Sequence, residues 1–411
     1  MFLVVFLLLL GLVYGYPTWR LQSALTPEPW LAWLWIAVIA TLALMPVLIL
    51  LLLRNTDTPT SWHRFASWFS YIGFGSAIIF FDVVVLRDLA LGLAWTIDHL
   101  ATFGVTPAQR ADWQRLSAQL CPIAAALLTG YALFQGRRTP AVRQVTVRVP
   151  GLPTDLDGLR IAHISDLHVG STIRRNFVAS VVRTVQKLEA DLIAFTGDLA
   201  DGSVAELSSE VAPLAQLSAP LGVWFSTGNH DYYWDAAAWM TKIEELGLRL
   251  VSNNHGVVTR GQSQVLVGGL PDPAGIEALP SDPRHAGDVD AVFAGAPEGL
   301  RLLLAHQPAT AATAGSCGAA LTLSGHTHGG QILPWSLLVR LQQPIVAGLS
   351  RRAKAEDGWI YVSRGVGYWG PPMRFGAPSE VACLTLRPAR NLRACVLRSY
   401  SPPSSSPDRC S

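Results

Sequence analysis

Charge is scarce in this sequence: 15% of its residues are Asp, Glu, Lys or Arg, against roughly 25% in an average soluble domain. With 50% hydrophobic residues, that poverty excludes a disordered or acidic-tail protein and points to a chain lying partly in lipid. Lysine is nearly missing, present only at Lys187, Lys242 and Lys354, so arginine carries almost all the positive charge. The formal net charge is only +2, which argues against a nucleic-acid partner held by bulk electrostatics. The five cysteines, Cys121, Cys317, Cys383, Cys395 and Cys410, show no CxxC spacing. Neither a zinc knuckle nor a dense disulfide framework fits them.

What the sequence does have is apolar length, concentrated before residue 135. Leu31 to Leu53 is uncharged for 23 residues, longer than the ~30 Å hydrocarbon core requires at about 1.5 Å per helical residue. Phe69 to Leu86 carries Asp82 within it and ends at Arg87 and Asp88. An acid at that depth calls for a polar partner, and helix-to-helix pairing is the expected one. Ser117 to Phe134 stops at Arg137 and Arg138. Phe2 to Tyr16 has the length of a signal-peptide core but no basic n-region and no A-x-A-like cleavage site, so a retained anchor is expected. About four helices would then make a multi-pass protein of the cell membrane, with membrane lipids as its partners and no protein partner inferable. A slight arginine bias, Arg54, Arg64, Arg137, Arg138 and Arg143 against Arg20, Arg87, Arg110 and Arg115, puts the following domain in the cytoplasm. A first run that is cleaved reverses that parity.

From about Val145 the pattern becomes short strand-like runs alternating with amphipathic helices, as in a layered α/β domain. The expected strands are 145–149, 159–164, 192–196, 223–227, 265–268, 301–305, 321–324, 359–363 and 381–386, with a helix capped by Asn176 after the second. Residues 1–139 therefore read as a membrane region, 140–390 as the soluble domain and 391–411, rich in Ser and Pro, as a disordered tail. Four strands end in polar clusters: Ser165-Asp166-Leu167-His168, Gly197-Asp198-Leu199-Ala200-Asp201, Gly228-Asn229-His230-Asp231 and Gly325-His326-Thr327-His328. His306 closes a fifth strand. Open α/β sheets place ligand sites at such carboxyl ends. Imidazole, carboxylate and amide donors without thiolate suit divalent iron, manganese or zinc, and disfavour calcium or a structural zinc. Asp198 can bridge two ions through its two oxygens, and Asn229 can bind without adding charge. His163, inside an apolar strand, reads as a packed core residue; His63, His99, His255 and His285 read as solvated or capping.

The order DxH, GDxxD, GNHD, H and GHxH over residues 143–390 resembles the calcineurin-like metallophosphoesterase superfamily, and its membrane-associated, YkuE-like branch in particular. The resemblance implies a four-layer fold, two central mixed β-sheets flanked by helices, behind the transmembrane region. It implies two divalent metal ions, manganese favoured over iron or zinc. One would be held by Asp166, His168, Asp198 and His328, the other by Asp198, Asn229, His306 and His326. His230 would then stand unligated beside the leaving group, with Asp231 orienting its ring and Asp201 supporting the ligands by hydrogen bonds. A loop from Gly365 to Phe375 would close near the site, with Arg374 contacting the substrate phosphate, and Trp369, Met373 and Phe375 either meeting an acyl chain or joining the core. The implied activity is hydrolysis of a phosphodiester or pyrophosphate by metal-activated hydroxide. Relatives in this branch that act on lipid-linked nucleotides such as UDP-diacylglucosamine raise a lipid-linked substrate. The alternative is an inactive membrane scaffold or sensor that keeps the fold, although no ligand position and no His230 has been lost.

Overall fold

The computed structural model describes residues 2–25, 61–313, 317–351 and 358–389. The apolar run Leu31–Leu53 and the tail from 391 to 411 lie outside the described residues.

Among the described residues three helices precede the α/β domain: α1 (Phe2–Leu25), α2 (Ser61–Ala101) and α3 (Pro107–Arg137). Of these, α3 is long and apolar enough to cross a membrane. It starts ten residues before the predicted Ser117, because Thr106 caps it with a reciprocal Thr106–Gln109 box and Pro107 fits the first turn. The charges read as the end of the third apolar run do not end α2. Asp88 accepts from Arg20 Nε at 2.6 Å and from Tyr16 Oη at 2.7 Å on α1. Arg87 donates to Ser117 Oγ at 2.9 Å and to the Gln114 carbonyl at 2.8 Å on α3. Paired in this way, the charges tie three helices together, and α2 runs on to Ala101. Asp82 has the Trp335 indole of the α/β domain beside it, where another helix was expected.

After α3 the chain forms two six-stranded sheets. The first has the order β1 (Ala141–Val149), β12 (Glu380–Pro388), β2 (Arg160–Ile164), β3 (Leu192–Thr196), β4 (Val223–Ser226) and β5 (Arg249–Leu250). The second has the order β10 (Gly348–Arg351), β11 (Trp359–Val362), β9 (Leu321–Ser324), β8 (Leu300–Ala305), β7 (Ser263–Leu270) and β6 (Asn254–Arg260). Neighbours β2, β3 and β4 are parallel, as are β7, β8 and β9, while β12 against β2, β6 against β7 and β10 against β11 are antiparallel. Both sheets are thus mixed. The central parallel strands are buried on both faces, which is why they read as continuous apolar runs.

One core fills the space between the sheets, with Ile161, Leu192, Trp224, Val267, Leu302, Leu323 and Tyr361 in contact. A second lies outside the first sheet, where α4 (Arg175–Gln186) presents Val178, Val181, Val182 and Val185 to Ile193 and Phe195. A third covers the outer face of the second sheet, with Leu303, Ile360 and Val362 against Val292 and Phe293. The result is four layers. The helix expected to be capped by Asn176 begins two residues earlier, with Arg174 at its N-cap and no side-chain cap bond. Strands β5, β6 and β10 were not expected; β6 and β10 are partly exposed edges with no strong apolar signal.

Candidate metal centre

The parallel strands of both sheets point their carboxyl ends the same way, and the loops leaving β2, β3, β4, β8 and β9 meet there. Asp166, His168, Asp198, His326 and His328 all have positive φ, between 50° and 69°. Five non-glycine residues in the left-handed region cost conformational energy, which is tolerated where the surroundings demand that geometry. Neighbouring glycines make the crowding feasible: a Cβ at Gly325 would collide with Ser165 Oγ and Asp166 Oδ2, and one at Gly228 with Asp198.

Ligand atoms within 4.8 Å of one another form three groups: Asp166, His168 and His328; His168, Asp198 and His230; Asp198, His306 and His326. His306 Nε2 lies 3.1 Å from Asp198 Oδ2, and His168 Nε2 lies 3.5 Å from the same oxygen. His168 Nε2 and His328 Nε2 are 3.1 Å apart. Asn229 Oδ1 sits 3.0 Å from His326 Nδ1, while its amide nitrogen donates to Tyr233 Oη. The seven predicted ligands therefore occupy one place, six of them buried and His326 half-buried. The far nitrogen of His306 is fixed by the Thr196 carbonyl, 2.6 Å from Nδ1, which leaves Nε2 for the centre.

Electrostatics test whether cations fit here. Burial disfavours every charge, yet His168, His230 and His306 hold Asp198 well below the usual carboxylate range. Burial likewise opposes the charge on His306, but Asp198, Asp166 and Asp272 push its pKa up to about 10. Burial lowers His326 to about 4, and His306 adds to that. Asp166 Oδ2 is buried without a hydrogen-bond partner, and His306 Nε2 has only the Asp198 carboxylate beside it. An ionised, buried carboxylate pair strong enough to draw a proton onto His306, with imidazoles facing one another around it, forms a site whose negative charge calls for cations. Divalent cations suit this N/O donor set.

His230 stands at the rim, its side chain 13% exposed. The structure corrects the role of Asp231: that carboxylate accepts from the backbone N–H groups of Asp198, Leu199 and Gly228, at 3.0, 2.8 and 2.8 Å. It ties two loops together and cannot also hold the His230 ring. Asp201 holds it instead, with Oδ1 2.5 Å from His230 Nδ1 and Oδ2 3.2 Å from His168 Nδ1. Burial works against charge on His230, but Asp201 and Asp198 overcome it and raise its pKa to about 9. Adjacent in sequence, His230 and Asp231 point apart on this turn.

Arg374 is corrected as well. Its side chain is fully buried and donates to the carbonyls of Gly367, His328 and Ala377, with its remaining nitrogen 3.1 Å from His328 Nδ1. It seats His328 from behind and does not reach a substrate. Met373 is buried and Phe375 packs edge-on to Tyr131 of α3, so both belong to packing. Trp369 is 57% exposed and lies edge-on to His230 with ring centroids 5.8 Å apart. His285 is buried with Nδ1 2.7 Å from Tyr232 Oη, not solvated, and His163 is a buried core residue hydrogen-bonded to Thr196.

The profile of the calcineurin-like phosphoesterases matches residues 159–330, the stretch that contributes every ligand above. A Danio rerio protein described as a transmembrane protein with metallophosphoesterase domain is 34% identical over 362 residues, covering 86% of this chain and 80% of that one. The chain belongs to the calcineurin-like phosphoesterase family. A Bos taurus protein of the same description is 35% identical over 67% of this chain, which spans 63% of its length. The Bacillus subtilis metallophosphoesterase YkuE is 28% identical over 67% of this chain and 96% of its own. Membership makes this a phosphoesterase-type hydrolase built for divalent metals, and the transmembrane relatives together with α3 associate it with a membrane.

Proposed function

We propose that the protein is a membrane-anchored hydrolase of a phosphodiester or pyrophosphate bond in a lipid-linked substrate. Asp166, His168, Asp198 and His328 would hold one divalent cation, and Asp198, Asn229, His306 and His326 the other, with manganese the preferred ion. Bound there, the two cations supply Lewis-acid charge for a phosphoryl oxygen and lower the pKa of water, so that a nucleophile exists at neutral pH. His230, oriented and kept protonated by Asp201, donates its Nε2 proton to the departing oxygen. The observation that carries this reading is the Asp201–His230 pair, at 2.5 Å, on the rim of a buried seven-ligand cluster. Arg374, held by carbonyls behind His328, contributes no phosphate contact in this reading. The arginine bias of the sequence supports a cytoplasmic catalytic domain, with membrane lipids as its partners.

The test uses full-length protein in detergent, stripped by chelator and supplied with manganese, iron or zinc. Phosphate or alcohol release is followed from aryl monoesters, aryl diesters and lipid-linked nucleoside diphosphates. Diester or pyrophosphate cleavage restored best by manganese is the expected outcome. Preference for the monoester would overturn the substrate class, and cation binding with no turnover on any of them would favour the scaffold.

A further inference from the structure

Directly after the His326–His328 cluster the chain makes a loop and a one-turn helix, Ser336–Val339, that leave large apolar side chains in the open. Leu341 is 80% exposed, Leu337 is 62% exposed, and Leu333 and Leu338 are also exposed, beside Arg340. This segment is anchored at both ends. The Gln331 side chain donates to the carbonyls of Trp369 and Pro371 and accepts from Trp369 N–H, and the buried Gln343 side chain accepts from Ala309 N–H. Its middle is fixed to the membrane helices, because Trp335 packs with Ile79 and Ala132 in one cluster and with Leu10, Val13 and Tyr14 in another. Exposed Tyr131 and Phe134 on α3 continue the apolar surface on the helical side, next to Phe375. Trp369 continues it on the other, up to His230. Apolar patches of this kind mark interaction surfaces, and leucines with tryptophan and a flanking arginine are the composition of an element lying in a bilayer interface. The strip is continuous with α3, the helix long and apolar enough to cross a membrane, so a bilayer is the surface that meets it.

We propose that Leu333, Leu337, Leu338, Leu341 and Trp369 sit in the interfacial layer of the bilayer, so that the rim beside His230 opens at headgroup level. A phosphoester whose acyl chains stay in the membrane could then reach the site without leaving it; this part rests on the lipid-linked reading above.

The full chain, with its native cysteines replaced by serine, is labelled with a nitroxide at Leu337→Cys, Leu341→Cys or, as an aqueous reference, Glu245→Cys, and placed in phosphatidylcholine nanodiscs. Collisions with oxygen should exceed those with a water-soluble nickel chelate at the two leucine positions, and the reverse should hold at Glu245. Nickel access at Leu341 equal to that at Glu245 would overturn the proposal. So would low access to both reagents, which means cover by protein, whether another segment or a second copy. These readouts do not depend on turnover, so their failure is distinguishable from failure of the phosphoesterase reading. In a second arm, Leu337→Glu/Leu341→Glu should leave cleavage of a soluble aryl diester unchanged and reduce cleavage of a bilayer-embedded ester by about tenfold. Equal loss on both substrates, or on neither, would refute headgroup-level access.

Discussion

Asp201→Asn tests the chemical argument most sharply, because the carboxylate serves two imidazoles at once. His230 Nδ1 is 2.5 Å from one oxygen, and His168 Nδ1 is 3.2 Å from the other. Both ring nitrogens must carry hydrogen if their partners are to work, His168 as a ligand through Nε2 and His230 as a proton donor. A carboxylate accepts from both; an amide of the same shape has one accepting oxygen and turns its donating NH2 towards the other ring. One ring therefore loses its orientation. Loss at His168 would weaken metal binding by about 10- to 100-fold, the usual cost of removing a ligand's outer partner. Loss at His230 would remove general-acid assistance, a factor of roughly 10² to 10⁴ in turnover. Metal content by mass spectrometry, cation titration by calorimetry and kcat at saturating manganese separate the two. Turnover should remain at least about 10²-fold down with the cation sites filled. Wild-type kcat under those conditions would refute the hold of Asp201 on His230 and leave Asp201 a support of His168 alone.

Other outcomes follow from the same geometry. Asp231→Ala strands the backbone N–H groups of Asp198, Leu199 and Gly228, so denaturant unfolding should show a loss of roughly 3 kcal/mol; unchanged stability would mean that Asp231 is not a loop tie. Arg374→Met uncovers the carbonyls of Gly367, His328 and Ala377 and should cost roughly 3 kcal/mol, whereas a rise in KM alone at full stability would return Arg374 to the substrate. Gly136→Leu places a Cβ 2.6 Å from the Pro372 carbonyl; amide exchange should quicken across 371–376, and unaltered protection would contradict the packing of α3 on that loop. Asp198→Ala should lose bound metal as well as turnover, while His230→Ala should keep its metal and lose most turnover; equal metal and full activity in both would remove the mechanism.

The parallel strands were legible because burial on both faces writes a continuous apolar run, and the ligands because each follows such a strand at its carboxyl end. Edge strands such as β6 were not, since Asn254–Arg260 alternates weakly between exposed and half-buried positions. Side-chain direction was the other blind spot. The resemblance implies a hold on the His230 ring for Asp231 and a substrate contact for Arg374, yet both turn to backbone groups that only the folded chain brings near. Asp201 was given a supporting role among the ligands, but its hold on His230 depends on a meeting across 29 residues of sequence. The helical region shows the same limit, because Arg87 and Asp88 terminate an apolar run in sequence but are neutralised between helices in space.

The segment from Gly367 to Ala377 is where the helical region and the α/β domain become one body. Its Arg374 N–H donates to the Ala132 carbonyl of α3, and the Arg374 side chain bonds the carbonyl of His328. Met373 packs with Ile79 of α2, and a Cβ at Gly75 would run into Met373 Sδ at 2.6 Å. No slack is left between helix and ligand: a shift of α2 against α3 has to move Met373 and Arg374, and Arg374 cannot move without giving up His328. The N-terminal helices are therefore more than an appendage of the α/β domain. They form part of the scaffold that sets a candidate metal ligand, so a soluble fragment beginning at residue 140 should hold the seven-residue cluster less firmly than the whole chain. Cation affinity compared between that fragment and the full protein measures the difference, and equal affinity would show that the contact at Arg374 is packing alone.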